Sequence, residues 1–197
     1  MQDTIALIST LMQSRQTILP KRLCAPGPDA AQLQRILSAA AHAPDHGQLL
    51  PWRFVCIPDT ARAALGEAFA SALLERDALA LPEQLQQARD KAFRAPVLML
   101  VVVQDASGDA TIGLDERVLS AGCAVQNMLL MATALGFGSA LTSGKALKAS
   151  ALRALFGLGS QDHAICFLSL GTAQRAQPMR TRPSPNQYVT TLSTEPL

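Results

Sequence analysis

The side chains best suited to chemistry in this chain are cations placed beside loops. Arg15 stands two residues before Thr17, Lys21 and Arg22 are adjacent after Pro20, Lys145 follows Gly144, and Arg180 lies in a proline-bearing tail. A guanidinium grips a phosphate with two parallel N–H donors, and a threonine hydroxyl or free backbone amide takes the remaining oxygen lone pairs. Where several of these residues converge they describe a site for a phosphate-bearing ligand; taken singly, each reads as a solvated surface charge. A second signal is the turn Pro44-Asp45-His46-Gly47-Gln48-Leu49-Leu50-Pro51, bracketed by prolines. His46 reads there as a turn residue or as a site residue, and Trp52 beyond it as core.

Other chemistries lack their residues. No Gly-x-Ser-x-Gly elbow is present, and no serine or cysteine has a paired base nearby in sequence. Gly136-Phe137-Gly138 lacks the third glycine of a dinucleotide fingerprint and follows a helical pattern instead of a strand. His42, His46 and His163 are too scattered for a zinc site, so no metal is expected. Cys24, Cys56, Cys123 and Cys166 form no Cys-x-x-Cys pair, the usage of a reducing compartment. The opening Met1-Gln2-Asp3-Thr4 has no basic segment ahead of an apolar one, and a cytoplasmic location is expected.

The 197 residues are 49% hydrophobic and 16% charged, with 17 Lys and Arg against 15 Asp and Glu, which suits one domain over residues 1–197 and excludes disorder for all but the ends. So even a charge balance argues against a nucleic-acid partner and for a small molecule. Residues 118–144 carry no charge, but Ser120, Gln126, Asn127 and Thr133 interrupt them and two glycines end them, so a buried core helix is expected in place of a membrane span.

The elements that must position these residues follow from periodicity. Ile5, Ile8, Leu11 and Met12 predict a helix over 4–16, and Asp29 three residues ahead of Gln32 predicts a capped helix ending at Ala43-Pro44. A strand is expected over 52–57, then helices over 61–80 and 82–93 as a helical excursion covering the site, a candidate lid. Residues 97–103 are apolar without a break, the mark of a central strand buried on both faces. A helix apolar nearly all round follows over 116–135, then a short helix over 149–156, a strand over 164–170 and an extended tail over 173–197. The expected class is α+β, a central mixed β-sheet flanked by helices.

Five fragments occur in an order that resembles the FMN-dependent nitroreductase family, most closely its short, histidine-containing NAD(P)H nitroreductase branch. They are Ser14-Arg15-Gln16-Thr17, then Ala43-Pro44-Asp45-His46-Gly47 leading to Pro51-Trp52-Arg53-Phe54, then Ser120-Ala121-Gly122-Cys123-Ala124-Val125-Gln126-Asn127-Met128, then Gly136-Phe137-Gly138, and last Leu170-Gly171-Thr172. The resemblance implies a nitroreductase-like homodimer with FMN at the subunit interface. It implies electron transfer from NADH or NADPH, in alternating half-reactions, to nitroaromatic, quinone or related small-molecule acceptors. No catalytic side chain is implied, because the chemistry occurs at the flavin N5.

The resemblance also assigns residues. Arg15, Gln16 and Thr17 stand where relatives hold the flavin phosphate and ribityl chain, with Gln16 replacing an arginine. His46 and Leu50 stand in the loop that approaches the flavin, Leu50 in place of a glutamine. Leu141, Thr142, Ser143 and Gly144 occupy the place of a Trp-Arg-Ser-Gly element, which leaves Lys145 or Arg180 to supply the missing cation. Ala134, Leu135, Gly136, Phe137, Gly138 and Ser139 correspond to the stretch assigned to the nicotinamide nucleotide. The departures at Gln16, Leu50 and Thr142 also admit a flavin-binding protein with little turnover, and the excursion admits a reductive dehalogenase or flavin-modifying relative on the same fold.

Overall fold

The computed structural model describes residues 2–105, 108–175 and 180–192. Helices are Gln2–Ser14 (α1), Ala30–Ala39 (α2), Asp59–Leu74 (α3), Pro82–Asp90 (α4), Leu114–Ala134 (α5) and Ser150–Leu155 (α6). Strands are Leu23–Cys24 (β1), Trp52–Cys56 (β2), Val97–Gln104 (β3), Gly138–Thr142 (β4) and Asp162–Ala173 (β5). No described helix is long and apolar enough to cross a membrane.

The apolar run of β3 behaves as its composition requires. Met99, Val101 and Val103 point to one face, where α5 and α2 cover them with Ala124, Met128 and Ile36. Leu98, Leu100 and Val102 point to the other, against Leu65 of α3, Leu152 of α6 and Phe167 of β5. Alternation of side chains along a strand thus feeds two cores, and residues 98–103 of β3 are all buried.

The sheet runs in the order β1-β5-β3-β2, with β4 also paired to β5. These ladders are antiparallel, and a parallel bridge between Thr17 and Ser139 beyond β4 makes the sheet mixed. The register slips between Val101 and Val102, where β5 carries one extra residue, Ile165, a bulge of the kind that bends a strand. Asp29 caps α2 as its spacing predicts: its Oδ1 accepts from the Gln32 amide at 2.8 Å, and the Gln32 side chain accepts from the Asp29 amide at 3.0 Å.

Two buried arginines hold the connections together. Arg62, 2% exposed, donates to the carbonyls of Ile57 (3.1 Å), Ala92 (2.7 Å) and Pro96 (3.2 Å), tying α3 to the end of β2, the end of α4 and the start of β3. Arg117, 1% exposed, does the same for Ile112 (2.9 Å) and Asp109 (2.8 Å) beside the loop before α5. Buried carbonyls without a helix or ladder partner need donors, and one guanidinium supplies several. The charges of α3 therefore do not all lie on its outer side, and the excursion 61–93 is a wall pinned to the sheet.

α1 is different: none of its residues is buried, and Ile5, Leu7, Ile8 and Met12 are exposed. Leu119 on α5 is exposed as well.

Arg62→Ala is expected to lower unfolding free energy by about 3 kcal/mol, because three buried carbonyls lose their donor at once. Urea unfolding of the two proteins measures this, and coincident midpoints would contradict the role given to Arg62.

Candidate active site

A cavity of about 690 Å³ opens between α3, α4 and the segment that follows β4. Its floor is apolar, with Leu98, Phe69 and Phe167, whose rings meet edge to face at 5.4 Å between centroids. Its walls are polar and basic: Lys21, Arg76, Lys91, Arg94 and Lys145, with Gln84 and Gln87 and the backbone of Thr142-Ser143-Gly144. Among the described residues no carboxylate lines it. A concave site with an apolar floor and a few convergent polar groups is what a planar cofactor or substrate requires.

Near the start of β4, whose far end borders this cavity, the chain assembles a second cationic feature. Residues 15–18 leave α1 and lie along the start of β4, where Thr17 bridges Ser139 and the Ile18 amide donates to the Ser139 carbonyl at 2.8 Å. Gly138 permits that approach, since a Cβ there would stand 2.8 Å from the Leu23 and 3.0 Å from the Ile18 side chains. Thr17 is thereby fixed three residues of strand from Thr142, and Arg15, two residues earlier in this parallel register, lies level with Phe137. The tail returns to the same place: Arg182 donates from Nη2 to the Arg15 carbonyl at 2.9 Å. Partial burial and the neighbouring Arg182 charge hold the Arg15 guanidinium below the usual arginine range. Among the described residues no carboxylate pairs with Arg15 or Arg182. Two guanidinium groups brought together without a counter-ion fit a doubly charged phosphate.

The loop 45–50 is built with strain. Gly47, Gln48 and Leu50 have φ of 68°, 53° and 48°, and the last two are left-handed without being glycine. Two contacts hold it. The Asp45 carboxylate accepts from the Leu50 amide at 2.7 Å, and His46 Nδ1 lies 2.8 Å from Glu116 Oε2 in the first turn of α5. Leu50 is left 63% exposed.

The structure therefore gathers some of the expected site residues and keeps others apart. Arg15, Gln16 and Thr17 lie beside the start of β4 and Leu141, Thr142, Ser143 and Gly144 at and beyond its end, with Lys145 in the cavity wall and Arg180 two residues from Arg182 in the tail. His46 and Leu50 lie across the sheet, in the loop before β2. Ser139 pairs with Leu170 and so stands level with Val97, whereas Trp52 pairs with Val103, and β4 and β2 flank the β5-β3 pair from opposite sides. Three strand spacings across and six residues along put Ser139, with Thr17 beside it, about 25 Å from Trp52 in one chain.

Lys21, one of the loop cations that the sequence offers for a phosphate, lines the cavity, and other positions escape sequence reasoning. Arg76 follows α3, Lys91 and Arg94 follow α4, and the packing of those helices brings all three to the cavity; Arg182, where the sequence points to Arg180, reaches Arg15. Periodicity alone cannot say that the polar side of a helix faces a cavity. Of the stretch 134–139, Ala134 ends α5, Gly136 closes it at φ 85°, and Ser139 is 2% exposed.

The nitroreductase family model matches residues 15–172. A candidate NAD(P)H nitroreductase of Haemophilus influenzae is 38% identical over 163 residues, 83% of this chain and 86% of that protein. Among solved structures, a nitroreductase-like family protein from Bacillus cereus has a TM-score of 0.80 over 94% of this chain and 95% of that one, at 18% identity. A nitroreductase with bound FMN from Bacteroides fragilis has a TM-score of 0.70 over 94% and 98%, at 19% identity. The last two speak to the fold alone; the family model and the relative from Haemophilus influenzae carry the assignment, and by them this chain belongs to the nitroreductase family.

Proposed function

We propose that the protein is an FMN-dependent oxidoreductase that takes electrons from NADH or NADPH and reduces nitroaromatic, quinone or related acceptors at one shared site. The observation that carries this reading is the pair Arg15 and Arg182, two guanidinium groups without a carboxylate partner among the described residues, near the start of β4, whose far end borders a cavity of about 690 Å³. Family membership supports it, and so does the fold shared with an FMN-bound nitroreductase.

When bound, FMN supplies the two-electron chemistry, and the protein supplies position, charge and exclusion of water. Arg15 and Arg182 would hold the phosphate, with the Thr17 hydroxyl and nearby amides filling the remaining acceptor positions. Leu98, Phe69 and Phe167 would back the ring system, and Thr142-Ser143-Gly144 would border its edge. For a nitro compound the net change is nitroarene plus NAD(P)H plus a proton giving nitrosoarene, NAD(P)+ and water. Donor and acceptor use the same opening in turn, which makes the exchange a ping-pong one.

The second half of the site is proposed to come from another copy. The loop 45–50 is held in a strained form, exposes Leu50 and has no path to the Arg15 region of its own chain. The exposed apolar side chains of α1, together with Leu119 and with Tyr188, Val189 and Leu192 of the tail, form a surface that a second copy would cover. A homodimer with FMN between copies meets both needs. The four cysteines are unpaired, consistent with the cytoplasmic location proposed here.

Three outcomes test the reading. Purified protein is expected to be yellow with non-covalent FMN, to bleach on anaerobic mixing with NADH or NADPH, and to regain colour when an acceptor is added; flavin that binds but stays oxidised would identify a binding protein instead. Arg15→Ala is expected to weaken FMN binding roughly 10- to 150-fold by fluorescence titration, the loss of one charge-assisted hydrogen bond; an unchanged dissociation constant would move the phosphate elsewhere. Leu119→Glu, at a position 70% exposed in one chain, is expected to shift sedimentation from dimer towards monomer and to lower FMN occupancy with it, whereas an unaltered sedimentation profile would remove this surface from the interface.

A further inference from the structure

The cavity carries more positive charge than a flavin phosphate consumes. Among the described residues, Lys21, Arg76, Lys91, Arg94 and Lys145 line it without any aspartate or glutamate, and none of the five takes part in an ion pair or a side-chain hydrogen bond. Four of them stand in solvent, but Arg94 is half-buried, just ahead of β3. A guanidinium partly removed from water and left without a partner is destabilised until an anion meets it. Arg15 and Arg182 already match the phosphate, and the oxidised flavin ring adds no charge of its own. The floor of Leu98, Phe69 and Phe167 meanwhile suits a flat apolar surface.

We infer that the acceptor of this site is a planar aromatic anion, a ring bearing a carboxylate that Arg94 and its neighbouring cations engage while the ring lies against the flavin that the apolar floor backs. The inference rests on the proposed reading of the cavity as the flavin site. An uncharged nitroarene gains only the apolar contact, so the basic wall acts as a selectivity element. The phosphates of NADH or NADPH offer the same anionic chemistry from another source, and the experiment must separate the two.

The FMN-loaded, oxidised protein is titrated without electron donor, using 4-nitrobenzoate and its uncharged counterpart 4-nitrobenzamide, with perturbation of the visible flavin spectrum as the readout. 4-Nitrobenzoate is expected to bind about 10-fold more tightly, the worth of one charge-assisted contact, with the ratio shrinking as salt rises. Arg94→Gln should bring the ratio towards one while leaving the 4-nitrobenzamide constant within about twofold. If Arg94→Gln does not load FMN, Arg76→Gln is expected to reduce the ratio, and the wild-type ratio with its salt dependence decides by itself. Equal binding of the two acceptors by FMN-loaded wild type would overturn the inference and leave the proposed function standing. Arg94→Gln that weakens NAD+ binding but leaves the acceptor ratio unchanged would also overturn it, assigning the cations to the donor. Protein that takes up no FMN, seen in the spectrum before any titrant is added, would overturn both.

Discussion

The width of the sheet sets what this chain can do alone. Because β4 and β2 lie on opposite sides of the β5-β3 pair, Ser139, with Thr17 beside it, and Trp52, which follows the loop that carries His46 and Leu50, are separated by about 25 Å. No rotamer change closes that gap, since both groups are tied to strands. A strained loop with an exposed leucine, an uncovered apolar α1 and a pair of unmatched guanidiniums are otherwise three unconnected oddities. A second copy of the chain, as proposed, accounts for all three, because one interface would cover the helix, seat the leucine and complete the site.

Arginine is used in two opposite ways in this fold. Arg62 and Arg117 are almost fully buried and spend their donors on backbone carbonyls, which fixes the connections around β3 and α5. Arg94 lines the cavity without an ion pair among the described residues, and Arg182 gives one donor to the Arg15 carbonyl while no described carboxylate pairs with either. The same chemical group is a strut where carbonyls lack partners and, as proposed, a binding element where no carboxylate is offered. The rigidity supplied by the first set matters to the second, because α3 and α4, pinned through Arg62, form the wall that carries Arg76, Lys91 and the approach to Arg94.

What the sequence revealed followed from local rules. The unbroken apolar run of β3, the Asp29-Gln32 box and the glycine stop after α5 depend on neighbours within a few residues, and each appears where the pattern places it. The phosphate role proposed for Arg15 and Thr17 comes from resemblance, and the structure sets Thr17 against Ser139 at the start of β4. Lys21, Arg76, Lys91 and Arg94 were not legible as a set, since they come from separate elements and only the packing of α3 and α4 on the sheet brings them to one cavity. Arg182 was hidden for the same reason: contact across 167 positions leaves no local trace.

A site shared between copies has one direct test, complementation between two defective variants. Arg15→Ala removes the phosphate contact of one half and Leu50→Glu disrupts the loop of the other. At an FMN concentration that fills wild type but neither variant, co-refolding them in equal amounts should restore about a quarter of the flavin sites, because half of the dimers are mixed and each of those has one intact pair of halves. Recovery at that level, measured by protein-bound flavin absorbance, is the predicted result. No recovery, with mixed dimers demonstrated by mass, would contradict a site completed by a second copy.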